Sequence, residues 1–578
     1  MFAPSTVDIT ELEALCQPAE VDYHGLPSID WADLGVRLLV YHPEALDSEW
    51  PDGQFPIVFH HHGNGQNGDA YEHLARAVVD DGAIFVSVER DTSTAASDTR
   101  ALIDICMLRW LFTQADWDGN GPQTIGAAKL DGNVVVVGHS NGGEGAHIVA
   151  NWFEERPWQD DPEAPEHQMR LCGVVGLAPR GADPSNAPFA QGIEIAGDRT
   201  VPYLTIEGSL DNDVPGGSLW NSSHSGFDEF HGPTDAAKIS VWVYDAEHDS
   251  FGGGGDIRDG DVRGLPADQQ RARGAAIASI WLDAFVRRFI FADLAVEPVL
   301  YGRAIPAILE NPAWWDYHPA YAGQPLVFVG SEPHQSPAVG EKDIRVVVDT
   351  MCRWLGEGCM PTDILNGASP TSEGQAEGLR AENWPPGSLR SDRAWELAAY
   401  DQTRGSYQTA ALRAELSAAE DPGPRVLAWD VEPFDLRDAV AFSFRASNVD
   451  VVDYPEQGFG CSAADGDATD ELDFEVVFVS LVGEQVSVNV SDYVRLVAPD
   501  ILEVSNALAL TPNMCPVSHF LQTVRIPLAE VLCDVFPPAR LHEVRFVFDP
   551  RGGPDGRAVL LDTVEFHRDG SGLPVCRG

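Results

Sequence analysis

The stretch "NVVVVGHSNGGEGAHIVANW" places one hydroxyl, that of Ser140, between glycines at the end of an apolar run. Gly138-His139-Ser140-Asn141-Gly142 matches G-x-S-x-G, the pattern of a serine held on a sharp strand-to-helix turn. Small residues on both flanks relieve the crowding of so strained a backbone. A helix opening behind the serine turns its first N–H groups toward the site, which favours a developing anion. Serine alone is a weak nucleophile. Attack on a carbonyl carbon needs a base to take the proton, an acid to orient that base, and N–H donors for the oxyanion.

The elements that must position these groups are legible around them. Four consecutive valines before Gly138 predict a strand buried on both faces. Ala146, Ile148, Val149 and Trp152 fit a helix face after it. "VPYLTIEGSLDNDVP" reads as a strand over residues 201–206 and a turn carrying Asp211 and Asp213. "ISVWVYDAEHDSFG" reads as a strand over 239–244 and a loop carrying His248 and Phe251. The chain has 17 histidines, and His248 is singled out by its place after the last strand of this series. "FPIVFHHHGNGQNGDAYEHLARAVVDDGAIFVSVER" predicts a strand over 55–61, a glycine-rich turn through Asn64 and Gly65, a helix over 71–79 and a strand over 83–88.

Two metal readings arise here. The run His60-His61-His62 is a poor one, because neighbours in a strand point to opposite faces and no H-E-x-x-H accompanies them. In "ADWDGNGPQT", Asp116, Asp118, Asn120 and Gly121 match the opening of a calcium loop. Its twelfth position is Ala127 where a bidentate glutamate belongs. A solvated acidic turn is therefore the reading adopted, with structural calcium as the alternative. No cofactor is required by the chemistry expected of Ser140.

At 578 residues and 44% hydrophobic, the chain is long enough for more than one core. From residue 30 to 293, strand and helix patterns alternate, the grammar of a doubly wound, mostly parallel α/β sheet. Further predicted elements are strands over 36–41 and 172–177 and helices over 94–112 and 267–291. Residues 1–29 precede this domain. Residues 294–341, with Trp314, Trp315 and Tyr317, have no regular period and read as a packed connector. From 342 to 578, "AVAFSFRASN", "DFEVVFVSLV", "QTVRIPLAEV", "LHEVRFVFDP" and "AVLLDTVEFHR" are short strands between Gly, Pro and Asp turns, as in an all-β sandwich.

Charge and cysteine usage bound the partners. With 90 acidic against 37 basic residues, the net charge is −53. Such a surface repels nucleic acid and anionic lipid. No apolar run is long enough to span a membrane. The nine cysteines contain no C-x-x-C and read as disulfides of an exported protein, Cys352 and Cys359 forming the easiest local loop. Cys106 and Cys172 are expected to be buried and reduced. The opening "MFAPSTVDITELEALC" has neither a basic nor an apolar segment. The expectation is a secreted or periplasmic protein whose signal peptide has been removed.

The first part of the chain, residues 30–293, resembles the α/β-hydrolase superfamily, in the branch of dienelactone hydrolases, cutinase-like polyester hydrolases and secreted esterases. The elbow "GHSNGGEGA" is similar to the "GHSRGGEGA" of large secreted bacterial hydrolases with a C-terminal β-domain. The resemblance implies a serine hydrolase of carboxylic esters. It aligns Gly208, Asp211, Val214 and Pro215 with the family's G-x-x-D-x-x-V-P, making Asp211 the acid and Asp213 the fallback. It makes His248 the base, with Phe251 beside it. His62-Gly63-Asn64 resembles the oxyanion turn, which implies backbone donors at Asn64 and Asn141, with Gly65 able to replace Asn64.

Polyester hydrolases of the branch carry a tryptophan soon after the strand that follows the elbow. Here "GVVGLAPRGADP" offers Arg180, and Trp220, Trp314 and Trp315 are the aromatic substitutes. The last strands resemble galactose-binding-like jelly rolls, which implies a glycan or polymer surface as the β-domain's partner. Cleavage of a small-molecule ester is thus the leading expectation. A polyester hydrolase using its β-domain to grip the polymer is one rival. A glycan-binding protein with an inactive hydrolase domain is another, and the ordered presence of nucleophile, acid, base and oxyanion turn argues against it.

Overall fold

The structure is a computed structural model. It describes residues 5–9, 36–43, 54–89, 97–114, 117, 126–155, 159, 161, 164–179, 201–208, 238–243, 246–252, 267–300, 327–332, 379–382, 389–393, 410–415, 424–431, 436, 439, 441–450, 472–493, 496, 500–501, 517–518, 522–549 and 557–567. The chain divides into two compact units between Phe328 and Val329, inside the expected connector.

The first unit is built on strands β1 (Ser5–Ile9), β2 (Val36–Tyr41), β3 (Phe55–His61), β4 (Ile84–Val88), β5 (Leu130–His139), β6 (Arg170–Leu177), β7 (Tyr203–Gly208) and β8 (Lys238–Val243). Their order in the sheet is β1-β2-β4-β3-β5-β6-β7-β8. Strands β3 to β8 run parallel, whereas β2 is antiparallel to both β1 and β4. The longer helices of the unit are α1 (Glu72–Val79), α2 (Ser97–Thr113), α3 (Asn141–Glu155) and α4 (Ala267–Phe289).

Alternation of side chains explains the uninterrupted valines of β5. Val134 and Val136 join a core cluster with Ala101 and Ile105 of α2 and with Ala146 and Val149 of α3. Val135 and Val137 point to the opposite face and are equally buried. A strand covered on both sides has no use for a polar residue.

The order of the strands also locates a crevice. From β3 the chain moves outward to β4, then returns past β3 to β5 and continues toward β8 on the other side. At such a reversal, the loops leaving the carboxyl ends of the two central strands diverge and leave room for a ligand. Those strands are β3 and β5, paired in register from Ile57↔Val134 to His61↔Gly138. The loops leaving them are the glycine turn after His61 and the elbow at Ser140.

Strand β9 (Val327–Glu332) lies at the division between the units. The second unit comprises β10 (Leu379–Glu382), β11 (Leu389–Arg393), β12 (Ala410–Glu415), β13 (Arg425–Asp430), β14 (Ala441–Asp450), β15 (Glu475–Ser480), β16 (Gln485–Asn489), β17 (Asp500–Ile501), β18 (Val517–Ser518), β19 (Gln522–Pro527), β20 (Leu541–Phe548) and β21 (Arg557–His567). Two five-stranded sheets form, ordered β10-β13-β20-β15-β16 and β11-β12-β21-β14-β19. Their pairings are antiparallel. The sheets share one core. Phe442 of β14 packs edge-on to Phe478 of β15 at 5.5 Å, and Phe444 packs on Phe546 of β20 at 5.0 Å.

Two expectations need correction. "QTVRIPLAEV" is a strand only to Pro527, after which Leu528–Leu532 is helical. Proline caps the helix, and Leu528 and Leu532, one turn apart, bury the same face. Cys172 is a buried free thiol as expected, but Cys106 on α2 is disulfide-bonded. An apolar helix position looks the same in sequence for a thiol and a half-cystine.

Candidate active site

Ser140 sits between the last residue of β5 and the first of α3, with φ at 55°. A non-glycine residue in this left-handed region carries strain of about 1–3 kcal/mol and persists only where its surroundings impose it. The imposing contacts are backbone against backbone. A Cβ on Gly138 would lie 2.0 Å from the Gly142 carbonyl oxygen, and one on Gly142 would lie 2.3 Å from the carbonyl oxygen of His61. The elbow is therefore pressed onto β3 at a distance only glycine permits. The Ser140 N–H donates to the Leu177 carbonyl at 3.0 Å, while the Ser140 carbonyl accepts from Gly143 and Glu144 at 2.9 and 3.2 Å. Gly142→Ala is expected to lose both Tm and activity, since a methyl group cannot be admitted without moving β3 or the elbow. The cost is about 3 kcal/mol or more. A thermal melt by circular dichroism beside an ester assay checks it, and a variant as stable and active as the parent would refute the packing account.

The segment carrying His248 is tied to the elbow. His248–Phe251 forms a short 3-10 turn in which His248, Ser250 and Phe251 are buried. His139, the residue before Ser140, is hydrogen-bonded through Nε2 to the His248 carbonyl at 3.0 Å, and the two rings lie 4.9 Å apart. Burial, reinforced by His248, pushes the pKa of His139 well below its usual value, so it stands neutral beside Ser140. On its other side, His139 Nδ1 is 2.7 Å from the Tyr71 hydroxyl. That hydroxyl also lies against Gln66 Oε1, and Gln66 Nε2 donates to Asp249 Oδ1 at 2.6 Å. One chain of side chains thus ties the glycine turn, the elbow and the segment carrying His248 together.

The glycine turn abuts Ser140. A Cβ on Gly63 would lie 3.1 Å from Cβ of Ser140 and 2.6 Å from His139 Nδ1. Asn64 and Gly65 beyond it are exposed, and Gly65 has φ at 67°. Asn141, the second expected donor, is the first residue of α3 and is buried with Ser140. The N–H groups that open a helix have no acceptor inside that helix, which suits them to an anion.

The three histidines of the HHH run go separate ways, as strand alternation requires. His60 Nδ1 bonds Ser87 Oγ at 2.9 Å, His61 Nδ1 bonds Asp104 Oδ1 at 2.5 Å, and His62 Nδ1 bonds the Gly63 carbonyl at 2.7 Å. Among the described residues, no group of three His, Cys, Asp or Glu side chains is placed to hold a metal ion. Burial pushes the pKa of His61 well down and that of Asp104 well up. The pair thus avoids placing an uncompensated charge in the core.

Burial also holds the pKa of His60, packed on Tyr71 and Phe85, well below its usual value. Its depressed affinity for protons gives a signed expectation. The unfolded chain takes up a proton at His60 below about pH 6.5 and the folded chain does not. The stability contributed by the neutral imidazole is therefore lost as pH falls below that value. Relative to His60→Phe, the parent should lose up to about 1.4 kcal/mol per pH unit on acidification. Chemical denaturation of both proteins at pH 7.5 and pH 5 checks it, and a constant difference between them would contradict it.

Of the segments that carry expected site residues, the structure brings together the elbow with Ser140 and Asn141, the turn that leads to Asn64, and the 3-10 turn with His248 and Phe251. Asp211, Asp213, Arg180, Trp220, Trp314 and Trp315 lie outside the described residues, as do Asp116, Asp118 and Asn120 of the calcium reading. The segments flanking Asp211 are nonetheless informative. Strand β7 ends at Gly208, three positions before it, where a Cβ would lie 2.0 Å from the Ala246 carbonyl oxygen, two residues before His248. The end of β7 and the start of the segment carrying His248 therefore lie side by side.

Sequence reasoning missed Arg100, Tyr71, Gln66 and Asp249. A signal existed for the first. "TRALIDICMLRWLF" is a predicted apolar helix with charges at Arg100 and Asp104, one turn apart on one face. Arg100 is fully buried. It donates to the His62 carbonyl at 2.8 Å and to Asn64 Oδ1 at 2.6 Å. No family model matches the chain, and no curated protein matches it.

Proposed function

We propose that the chain is a serine hydrolase of the α/β-hydrolase fold that cleaves carboxylic esters through Ser140, His248 and Asp211. The observation that carries this reading is the strained elbow. A serine at φ 55° stands at the switch point of a parallel sheet, with Gly63 of the neighbouring turn against its Cβ. Strain of that kind concentrates where a side chain must be presented to a ligand. The strand order, with β2 antiparallel at one side and β3 to β8 parallel, supports the same fold. So does the succession of elbow after β5, Asp211 after β7 and His248 after β8.

In this reading His248 takes the Ser140 proton as Oγ attacks the ester carbonyl. The tetrahedral oxyanion is met by the N–H groups of Asn64 and Asn141. Collapse of the intermediate breaks the C–O bond, and the alcohol leaves with the proton held by His248. Water, deprotonated by the same imidazole, then attacks the acyl-enzyme, releasing the acid and restoring Ser140. Asp211 holds the imidazole in the tautomer this requires. No cofactor enters any of these steps. For the second unit, two antiparallel sheets around one core support a jelly-roll-like accessory domain. Turnover of a soluble p-nitrophenyl ester series by the full chain tests the reading. Hydrolysis that depends on Ser140 supports it, and absence of hydrolysis across short and long acyl chains opposes it.

A further inference from the structure

We propose that Arg100 is a positioning residue whose buried guanidinium fixes the turn that presents the Asn64 N–H to the oxyanion. The proposal rests on the serine-hydrolase reading and deepens it. Arg100 projects from α2 and is fully buried. A charge so placed is costly unless hydrogen-bonded. Two arms of its fork go to one turn. Nη1 donates to the carbonyl of His62 at 2.8 Å and Nη2 to Oδ1 of Asn64 at 2.6 Å. His62 and Asn64 bracket Gly63, where a Cβ would lie 3.1 Å from Cβ of Ser140. The fork therefore pins the turn on both sides of the residue that touches the nucleophile.

The turn needs such a hold. Asn64 and Gly65 are exposed, and the left-handed backbone of Gly65 gives the loop no side chain with which to pack. Among the described residues, the hydrogen bond of the Asn64 side chain is the one to Arg100. Once its side chain is fixed, the peptide N–H of Asn64 has one orientation rather than several, and a preorganised donor is what stabilises a charge that exists only in the transition state. A planar guanidinium can serve two acceptors at once; a lysine ammonium is a point charge on a flexible stem.

A residue that only supported the fold would lower Tm and leave transition-state binding in the surviving protein unchanged. Arg100→Gln, Arg100→Lys and Asn64→Ala are compared in the full chain with a soluble ester, with an alkylboronic acid that forms a tetrahedral adduct on serine, and by thermal melting. The expected result is a ten- to hundredfold fall in kcat with KM nearly unchanged, and a boronate Ki weakened by a similar factor. Arg100→Lys should fall between the parent and Arg100→Gln. The double variant Arg100→Gln/Asn64→Ala should lose little more than either single one, because both break the same link. Asn64 is exposed, so Asn64→Ala carries the test even if Arg100→Gln fails to fold. Asn64→Ala with parental kcat and boronate Ki would overturn the proposal while leaving the hydrolase reading intact. A parent protein whose turnover does not depend on Ser140 would overturn both.

Discussion

Ser140→Ala is expected to lower kcat on a soluble p-nitrophenyl ester by about three decades or more, with residual rate left to the oxyanion donors and binding alone. The substitution is mild for the fold. Alanine keeps the Cβ that packs beside Gly63, and it bears the same strain at φ 55° that serine bears. The Ser140 backbone bonds to Leu177, Gly143 and Glu144 use no side-chain atom. The loss should therefore appear in kcat with Tm nearly unchanged. Near-parental ester turnover in Ser140→Ala would remove the nucleophile from the account.

The second large effect is expected at the acid. Asp211→Asn should cut kcat by roughly four decades, because an amide in place of the carboxylate favours the wrong imidazole tautomer on His248. Asp213→Asn should cost far less. The two lie on one turn two positions apart, so the comparison reads the register of that turn directly. The close approach of Gly208 to Ala246 brings the end of β7 next to the root of the His248 segment. Measuring kcat/KM for both variants on one ester decides it. If Asp213→Asn is the crippling change, the acid is Asp213 and the alignment of the turn is one step out.

Periodicity sufficed for most of the first unit. The valines of β5, the apolar stripe of α3 and the run from Phe55 to His61 were legible because each is buried on a pattern that only one kind of element satisfies. The elbow was legible because its glycines answer a local demand, two backbones meeting closer than any Cβ allows. The hydrogen-bond chain through Gln66, Tyr71, His139 and Asp249 was not. Its members are 183 positions apart at the extremes and share no spacing. Only the assembled sheet, which brings the carboxyl ends of β3 and β5 together with the loop after β8, puts them in contact. Arg100 lay between these cases. A buried charge on an apolar helix announces a partner, but nothing in the helix says that the partner is the turn at Asn64. The helix after Pro527 was missed for a different reason. Five residues are too few to show a helical period, so a strand pattern absorbed them.

The most direct measurement of the central claim is covalent capture of the nucleophile. The native full-length chain is treated with a fluorophosphonate probe, digested, and the modified peptide is sequenced by mass spectrometry. The account predicts one label, on the peptide containing Ser140, absent from Ser140→Ala and absent after the protein is unfolded by heat. Native protein that hydrolyses esters yet takes no label, or takes it on another serine, would contradict the account.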